Sequence, residues 1–123
     1  MTALIFNINN MRKSDKKIEN NIRTVLTEVC QLALEDIEGF VWLTHTVNFQ
    51  SLSESLCITC VFDTNSNLAN YLTSSQKNQL VRLIESKLAS IGIKLKNKAK
   101  QISLDSEESC AEYQQGNWRK RLS

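Results

Sequence analysis

The sequence predicts an α+β domain, a two-layer sandwich in which a central antiparallel hairpin packs against two helices. Residues 40–63 are the most apolar and β-branched stretch, and apolar residues alternate along it with the period of a strand. In residues 15–38 and 74–91, apolar residues instead recur every three or four positions, which is typical of amphipathic helices. With a weaker first strand and a short last helix, the predicted order is (β)αββαβα.

The hairpin is predicted to pair residues 40–49 with residues 56–63. The polar segment between them contains no Asn-Gly or Asp-Gly pair, so a loop of more than two residues is expected. Cys57 and Cys60 have the spacing of half a zinc site or a redox pair. Within a strand this spacing sends the two side chains to opposite faces. We therefore predict that both cysteines are structural.

Helix ends are predicted from capping residues. The expected N-caps are Ser14, Thr73 and Asp105, each a residue type whose side chain accepts a hydrogen bond from a free backbone N–H. Gly39 and Gly92 are expected to end the two long helices, because glycine readily adopts the left-handed conformation found after a helix.

The chain is long enough for one domain, which we assign to residues 11–115. Residues 1–10 are interpreted as an N-terminal extension or a short strand, and residues 116–123 as a basic tail. Residues 93–104 are expected to form one long edge strand or a second, smaller hairpin. The predicted core is Val25, Leu26, Val29, Leu43, Ile58, Cys60, Val81, Ile84 and Leu88.

Composition excludes some classes of protein. The net charge of +2 is too small to indicate a nucleic-acid partner by itself, so only the distribution of charge is informative. The first ten residues lack the basic region of a secretory leader, and their apolar run is too short to cross a membrane. A cytoplasmic protein with reduced thiols and no membrane anchor is therefore expected.

No catalytic, metal or cofactor site is predicted. His45 is the one histidine, and a buried imidazole with a hydrogen-bonded partner is the expected role. Asp63 and Asp105 each end an apolar run, where turn and cap chemistry is expected. A hydrolase that uses Asp63, Asp105 and His45 is the weaker alternative, because carboxylates at strand ends can form an acid–base pair.

Basic residues fall in three segments, which are the predicted nucleic-acid-binding residues. They are Arg12, Lys13, Lys16 and Lys17 near the first helix, Lys94, Lys96, Lys98 and Lys100 after the second, and Arg119, Lys120 and Arg121 at the end of the chain. The middle four are spaced by two, so an extended backbone would project them from one side as a row. One-sided positive charge suits the phosphates of a nucleic acid or ribonucleoprotein.

Two other interpretations of these segments remain. Lysines on an exposed edge strand also prevent edge-to-edge aggregation, whatever the function. The alternative function is a protein-interaction or homodimerisation domain that uses a sheet edge or the Trp118 tail. Clustering of the three segments on one face would favour a nucleic acid, whereas scattering would favour a protein partner.

Five short strings resemble a group of small bacterial proteins of unknown function, some of which are labelled Fis-type transcriptional regulators. The strings are MRKSDKKIE (11–19), WLTH (42–45), CVFD (60–63), DSEE (105–108) and GNW (116–118). Members generally begin at the equivalent of Met11, so the resemblance implies that residues 1–10 are an upstream extension. It implies a bacterial, cytoplasmic protein, and none of the strings is a known catalytic signature.

Overall fold

The structure, a computed structural model, describes residues 12–123. The expected extension or strand at residues 1–10 lies outside this range. The elements in chain order are α1 (Lys13–Asp36), β1 (Phe40–Thr46), a 3₁₀ turn (Phe49–Ser51), α2 (Leu52–Ser55), β2 (Cys57–Phe62), α3 (Asn65–Leu72), α4 (Gln79–Ala89), α5 (Lys98–Gln101), β3 (Ile102–Ser106), α6 (Glu107–Gln114) and α7 (Trp118–Leu122).

The predicted α+β class and the central hairpin are confirmed. The sheet has the order β1-β2-β3, with β1 antiparallel and β3 parallel to the central strand β2. Strands β1 and β2 pair from Phe40–Phe62 to Thr46–Cys57. The connection between them is long, as expected, but it folds into the 3₁₀ turn and α2. Strand β3 returns to the sheet after a crossover through α3, α4 and α5.

Helices α1 and α4 cover one face of the sheet and enclose the core. Eight of the nine predicted core residues are buried, and Val81 is the exception. Helix α4 buries Leu80, Ile84 and Leu88, which follow one another every four residues. Val81 lies beside this stripe and is therefore only partly buried. Among residues 12–123, no helix is both long and apolar enough to cross a membrane.

An irregularity in β1 changes which side chains face the helices. The pairing with β2 shifts between Phe40 and Trp42, as in a β-bulge. Strict alternation would put Phe40 and Leu43 on opposite faces, but both belong to the buried core. The bulge restores Phe40 to the core face, where its ring lies edge-on to Phe62 at a centroid distance of 6.1 Å.

The expected N-caps are wrong at all three helices. Ser14 lies inside α1, which begins after Arg12, and Thr73 ends α3, so that α4 begins only at Gln79. The cap of α6 is Ser106, whose hydroxyl accepts a hydrogen bond from the Ser109 N–H. Asp105 is the last-but-one residue of β3, and its carboxylate accepts hydrogen bonds from the Arg121 guanidinium.

Residues 93–104 form neither a long edge strand nor a hairpin. Ile93 and Leu95 are buried, as alternation predicted, but residues 93–97 have no regular secondary structure and only Ile102–Ser106 joins the sheet. The side chain of Gln101 explains why residues 98–101 form a helical turn instead of a strand. Its buried amide donates to the carbonyls of Ser53 and Leu56 and accepts from the Asn97 N–H, which holds α5 as one helical turn. The lysine row is therefore broken.

The C-terminal segment is not a free tail. Residues Trp118–Leu122 form helix α7, which begins after the cap residue Asn117. Trp118 and Arg121 are only partly exposed, because both contact side chains elsewhere in the domain. Trp118 is therefore half-buried against the domain rather than part of a free tail.

Candidate functional site

Two of the three basic segments lie at the same end of the molecule, where β2 begins. His45 of β1 pairs with Ile58 near the start of β2, and Ile58 pairs with Ile102 at the start of β3. Glu19 of α1 contacts His45, so the N-terminal turns of α1 lie at this end. Residues 94–101 directly precede β3. Strands β1 and β3 are two strand spacings apart, or about 10 Å.

We call this region the basic end and define it by seven lysines. They are Lys13, Lys16, Lys17, Lys94, Lys96, Lys98 and Lys100, and all seven are exposed. The first three have the spacing i, i+3, i+4, so they lie on one side of α1. The basic end is therefore assembled from the start of one helix and from a loop with a short helix, rather than from a row on a strand.

Ion pairs neutralise only part of the basic end. Lys96 pairs with Glu54 and Lys98 with Glu85, each at 3.4 Å and largely exposed to solvent. Exposed pairs of this kind contribute little and reorganise easily. Within the described part of the chain, the other five lysines have no carboxylate within 4.0 Å. Arg12, next to this region, pairs with Asp15 at 3.2 Å.

Most charges at the two ends of α1 oppose the electrostatics of the helix, with Asp15 in the first turn as the exception. The N-terminus of a helix carries partial positive charge, which disfavours cations there. The first two turns nevertheless hold Lys13, Lys16 and Lys17, while Glu35 and Asp36 occupy the last turn, where cations are favoured. Helix stability therefore does not account for these three lysines.

The third basic segment lies at the other end of the sheet. Arg121 donates to both carboxylate oxygens of Asp105, at 2.6 and 2.9 Å. Asp105 pairs with Val61, near the end of β2. Its side chain extends from the face opposite the one that carries His45, because the pairing puts Asp105 out of phase with Ile58. The criterion of one shared face is therefore met by the first two basic segments only, and the third lies apart from them.

His45 is buried against α1. Its Nε2 lies 2.9 and 3.0 Å from the two carboxylate oxygens of Glu19, and both residues are less than 5% exposed. The other ring nitrogen, Nδ1, is buried and has no hydrogen-bond partner among the described residues 12–123. The expected buried imidazole with a partner is confirmed. Glu19 was not predicted as this partner, although it falls on the same helical stripe as Ile22 and Leu26.

The three residues of the hydrolase alternative do not come together. His45 aligns with Ile58, five residues before Asp63, which corresponds to about 16 Å along the strand. Asp63 is exposed and accepts hydrogen bonds from the Thr64 N–H and the Asn67 amide. The bond from Asn67 is the main reason that the pKa of Asp63 lies below its ordinary value. Asp63 is thus a turn residue, and Asp105 is bound by Arg121.

Three of the four thiols are buried and are not arranged for chemistry. Cys57 is exposed and Cys60 is buried, so the predicted divergence of this pair is confirmed. Burial raises the pKa of Cys60 to about 12 and also raises the pKa of Cys30 and Cys110. Thiols with raised pKa values are poor nucleophiles and poor metal ligands at neutral pH. Among residues 12–123, no group of three His, Cys, Asp or Glu side chains could hold a metal ion.

An apolar depression of about 370 Å³ adjoins the basic end. Its floor is made of Leu88, Ile93 and Leu95, and Lys94 and Glu85 lie at its rim. This depression has no signature in the sequence pattern, because it depends on the turn that residues 90–97 make after α4. Comparison of the chain with protein-family models, with curated proteins and with solved structures finds no match.

Proposed function

We propose that this protein is a cytoplasmic, non-enzymatic module that binds a nucleic acid or a ribonucleoprotein through the basic end. The observation that carries the proposal is the group of five exposed lysines at one end of the domain that have no carboxylate within 4.0 Å among residues 12–123. Phosphate contacts of this kind give affinity without base recognition, so binding is expected to depend strongly on salt and weakly on sequence.

Two physical arguments support binding over a purely structural role. Protection of a sheet edge does not explain Lys94 to Lys100, since these residues lie outside the sheet. The macrodipole of α1 also disfavours Lys13, Lys16 and Lys17. A bound phosphate would be attracted by the exposed lysines of both segments. At the start of α1 it would also be attracted by the positive end of the helix.

The first test is the triple substitution Lys13→Glu/Lys16→Glu/Lys17→Glu. Each replacement changes the charge by two, so the net charge falls from +2 to −4. Binding to fluorescent single-stranded RNA and to duplex DNA is measured by polarisation across a salt series. We expect the affinity to fall at least about tenfold. We also expect the salt slope to fall by about 2 for RNA, since each lost contact contributes about 0.7.

The matched control is Lys77→Glu/Arg82→Glu/Lys120→Glu, which has the same net charge. These three side chains are exposed and lie outside the basic end. The control is expected to keep most of the affinity, because only the long-range field changes. Equal losses of nucleic-acid affinity in the two variants would refute the proposed function, and so would a lack of binding by the unaltered protein at low salt.

A further inference from the structure

Helix α7 is attached to the domain by a pair of tryptophans that share one carboxylate. The Trp118 ring lies edge-on to Trp42 of β1, with a centroid distance of 4.9 Å and an angle of 84°. Both indole N–H groups donate to Oε1 of Glu107, each at 2.8 Å. Glu107 is the first residue of α6. These are the chain's two tryptophans, so its indole fluorescence arises in this cluster.

A second set of contacts lies one helical turn further along α7. Arg121 makes the bidentate contact with Asp105 and also donates to Oε1 of Gln114 at 2.7 Å. The hydrogen bond to Asp105 raises the pKa of the Arg121 guanidinium above its ordinary value. The domain thus supplies Glu107 as the acceptor for the Trp118 N–H, and Asp105 and Gln114 as acceptors for the Arg121 guanidinium. The two bound residues of α7 are three positions apart, as in Trp-x-x-Arg.

The connection between α6 and α7 is short and bent. Helix α6 ends at Gln114, and the next two residues, Gln115 and Gly116, have φ values of +52° and +80°. A positive φ is unfavourable for glutamine, so extension of this connection would relieve strain. Helix α7 has five residues, too few to be stable without its contacts. Opening would therefore release α7 as one segment.

We propose that Trp42, Glu107, Asp105 and Gln114 form a recognition site for a Trp-x-x-Arg segment, and that α7 of a second copy can occupy it. Every group of this site lies outside α7, and a second copy necessarily carries the matching sequence. Two copies would then exchange C-terminal helices symmetrically. The short connection gives the intramolecular contact an effective concentration on the order of millimolar, so the unaltered protein is expected to be monomeric when dilute.

The test uses complementary charge reversals in the full chain, Asp105→Arg and Arg121→Asp. In either variant alone, like charges meet both within a copy and between copies. When the variants are mixed, Arg121 of one copy meets Asp105 of the other, and the two introduced residues also form a pair of opposite charge. Light scattering is expected to give the monomer mass for each variant and twice that mass for the 1:1 mixture.

The double variant D105R/R121D is the control, because it restores the intramolecular pair. It is expected to be monomeric and to recover the tryptophan emission that each single variant loses. Far-UV circular dichroism checks that the single variants stay folded. If folded single variants with altered emission remain monomeric after mixing, or if their emission is unaltered, the exchange proposal is wrong. Nucleic-acid binding at the basic end is measured separately, so the two proposals fail independently.

Discussion

Gly39 lies where three parts of the chain meet, between the end of α1, the start of β1 and the N-terminal turn of α3. Its φ of +85° is the left-handed conformation that the sequence analysis expected there. Its carbonyl accepts a hydrogen bond from the Asp63 N–H at 2.8 Å. A Cβ atom on this residue would lie 2.5 Å from Cβ of Asn67. Both backbone conformation and space therefore require glycine.

The substitution Gly39→Ala is expected to lower the free energy of unfolding by about 3 kcal/mol, the sum of backbone strain and overpacking. Gly92→Ala is the matched control, because Gly92 has a similar φ of +79° but no atom within 4 Å of the added Cβ. It is expected to cost about 1 kcal/mol. Urea denaturation measures the free energy of unfolding of both variants. Equal losses would show that the contact with Asn67 relaxes without cost.

At the scale of elements, the contact between Glu19 and His45 joins α1 to β1. Both groups are buried among apolar side chains, so neither can exchange its partner for water. The removal of one member of a buried pair leaves the other without compensation, which typically costs 3–5 kcal/mol, whereas replacement of both by apolar groups can be nearly neutral. The pair is thus expected to be strongly coupled.

A double-mutant cycle with Glu19→Leu and His45→Phe measures this coupling. Each single substitution is expected to destabilise the domain by about 3 kcal/mol, and the double variant by much less than the sum. The control pair is Glu28 and Lys87, which also joins α1 to another element but is partly exposed, and a coupling below about 1 kcal/mol is expected there. Additive losses at Glu19 and His45 would contradict the account of this contact.

The elements that the sequence predicts well are those whose burial follows a simple period. The stripe on α1 and the positions of Ile58, Cys60 and Phe62 in β2 each reflect contact with one apolar layer, so these core residues follow from spacing alone. The burial of Val61 on the opposite face of β2 does not follow from it. The bulge in β1 does not follow from spacing, because it adjusts the pairing register after the strands meet.

The error in residues 93–104 has a different cause. Alternation of apolar and basic residues there is compatible with a strand, but Gln101 satisfies two distant carbonyls and closes a helical turn instead. The cap predicted at Asp105 fails for a similar reason, since Asp105 forms an ion pair with Arg121, 16 residues later in the chain. Local capping patterns do not include partners of this kind. The predicted strand-like row of Lys94, Lys96, Lys98 and Lys100 is therefore wrong, and a binding role for these lysines stays a prediction.

At the scale of the whole molecule, the two ends of the sheet differ in chemistry. The end at which β2 begins carries the seven lysines of the basic end. At the end at which β2 stops, arginine and indole groups are bound to carboxylates of the same domain. Exposed lysines are therefore available to a partner at the first end, whereas Arg121 at the second end is already bound to Asp105. This asymmetry is the basis of the proposed function.

The most direct test of this account is to map where a nucleic acid binds. Amide chemical shifts of the ¹⁵N-labelled protein are followed during titration with a short single-stranded RNA at low salt, and then with duplex DNA. The account predicts that shifts concentrate in residues 13–20 and 94–101 and that they reverse when salt is added. It is contradicted if neither nucleic acid shifts any amide, or if the shifts are confined to residues 105–123.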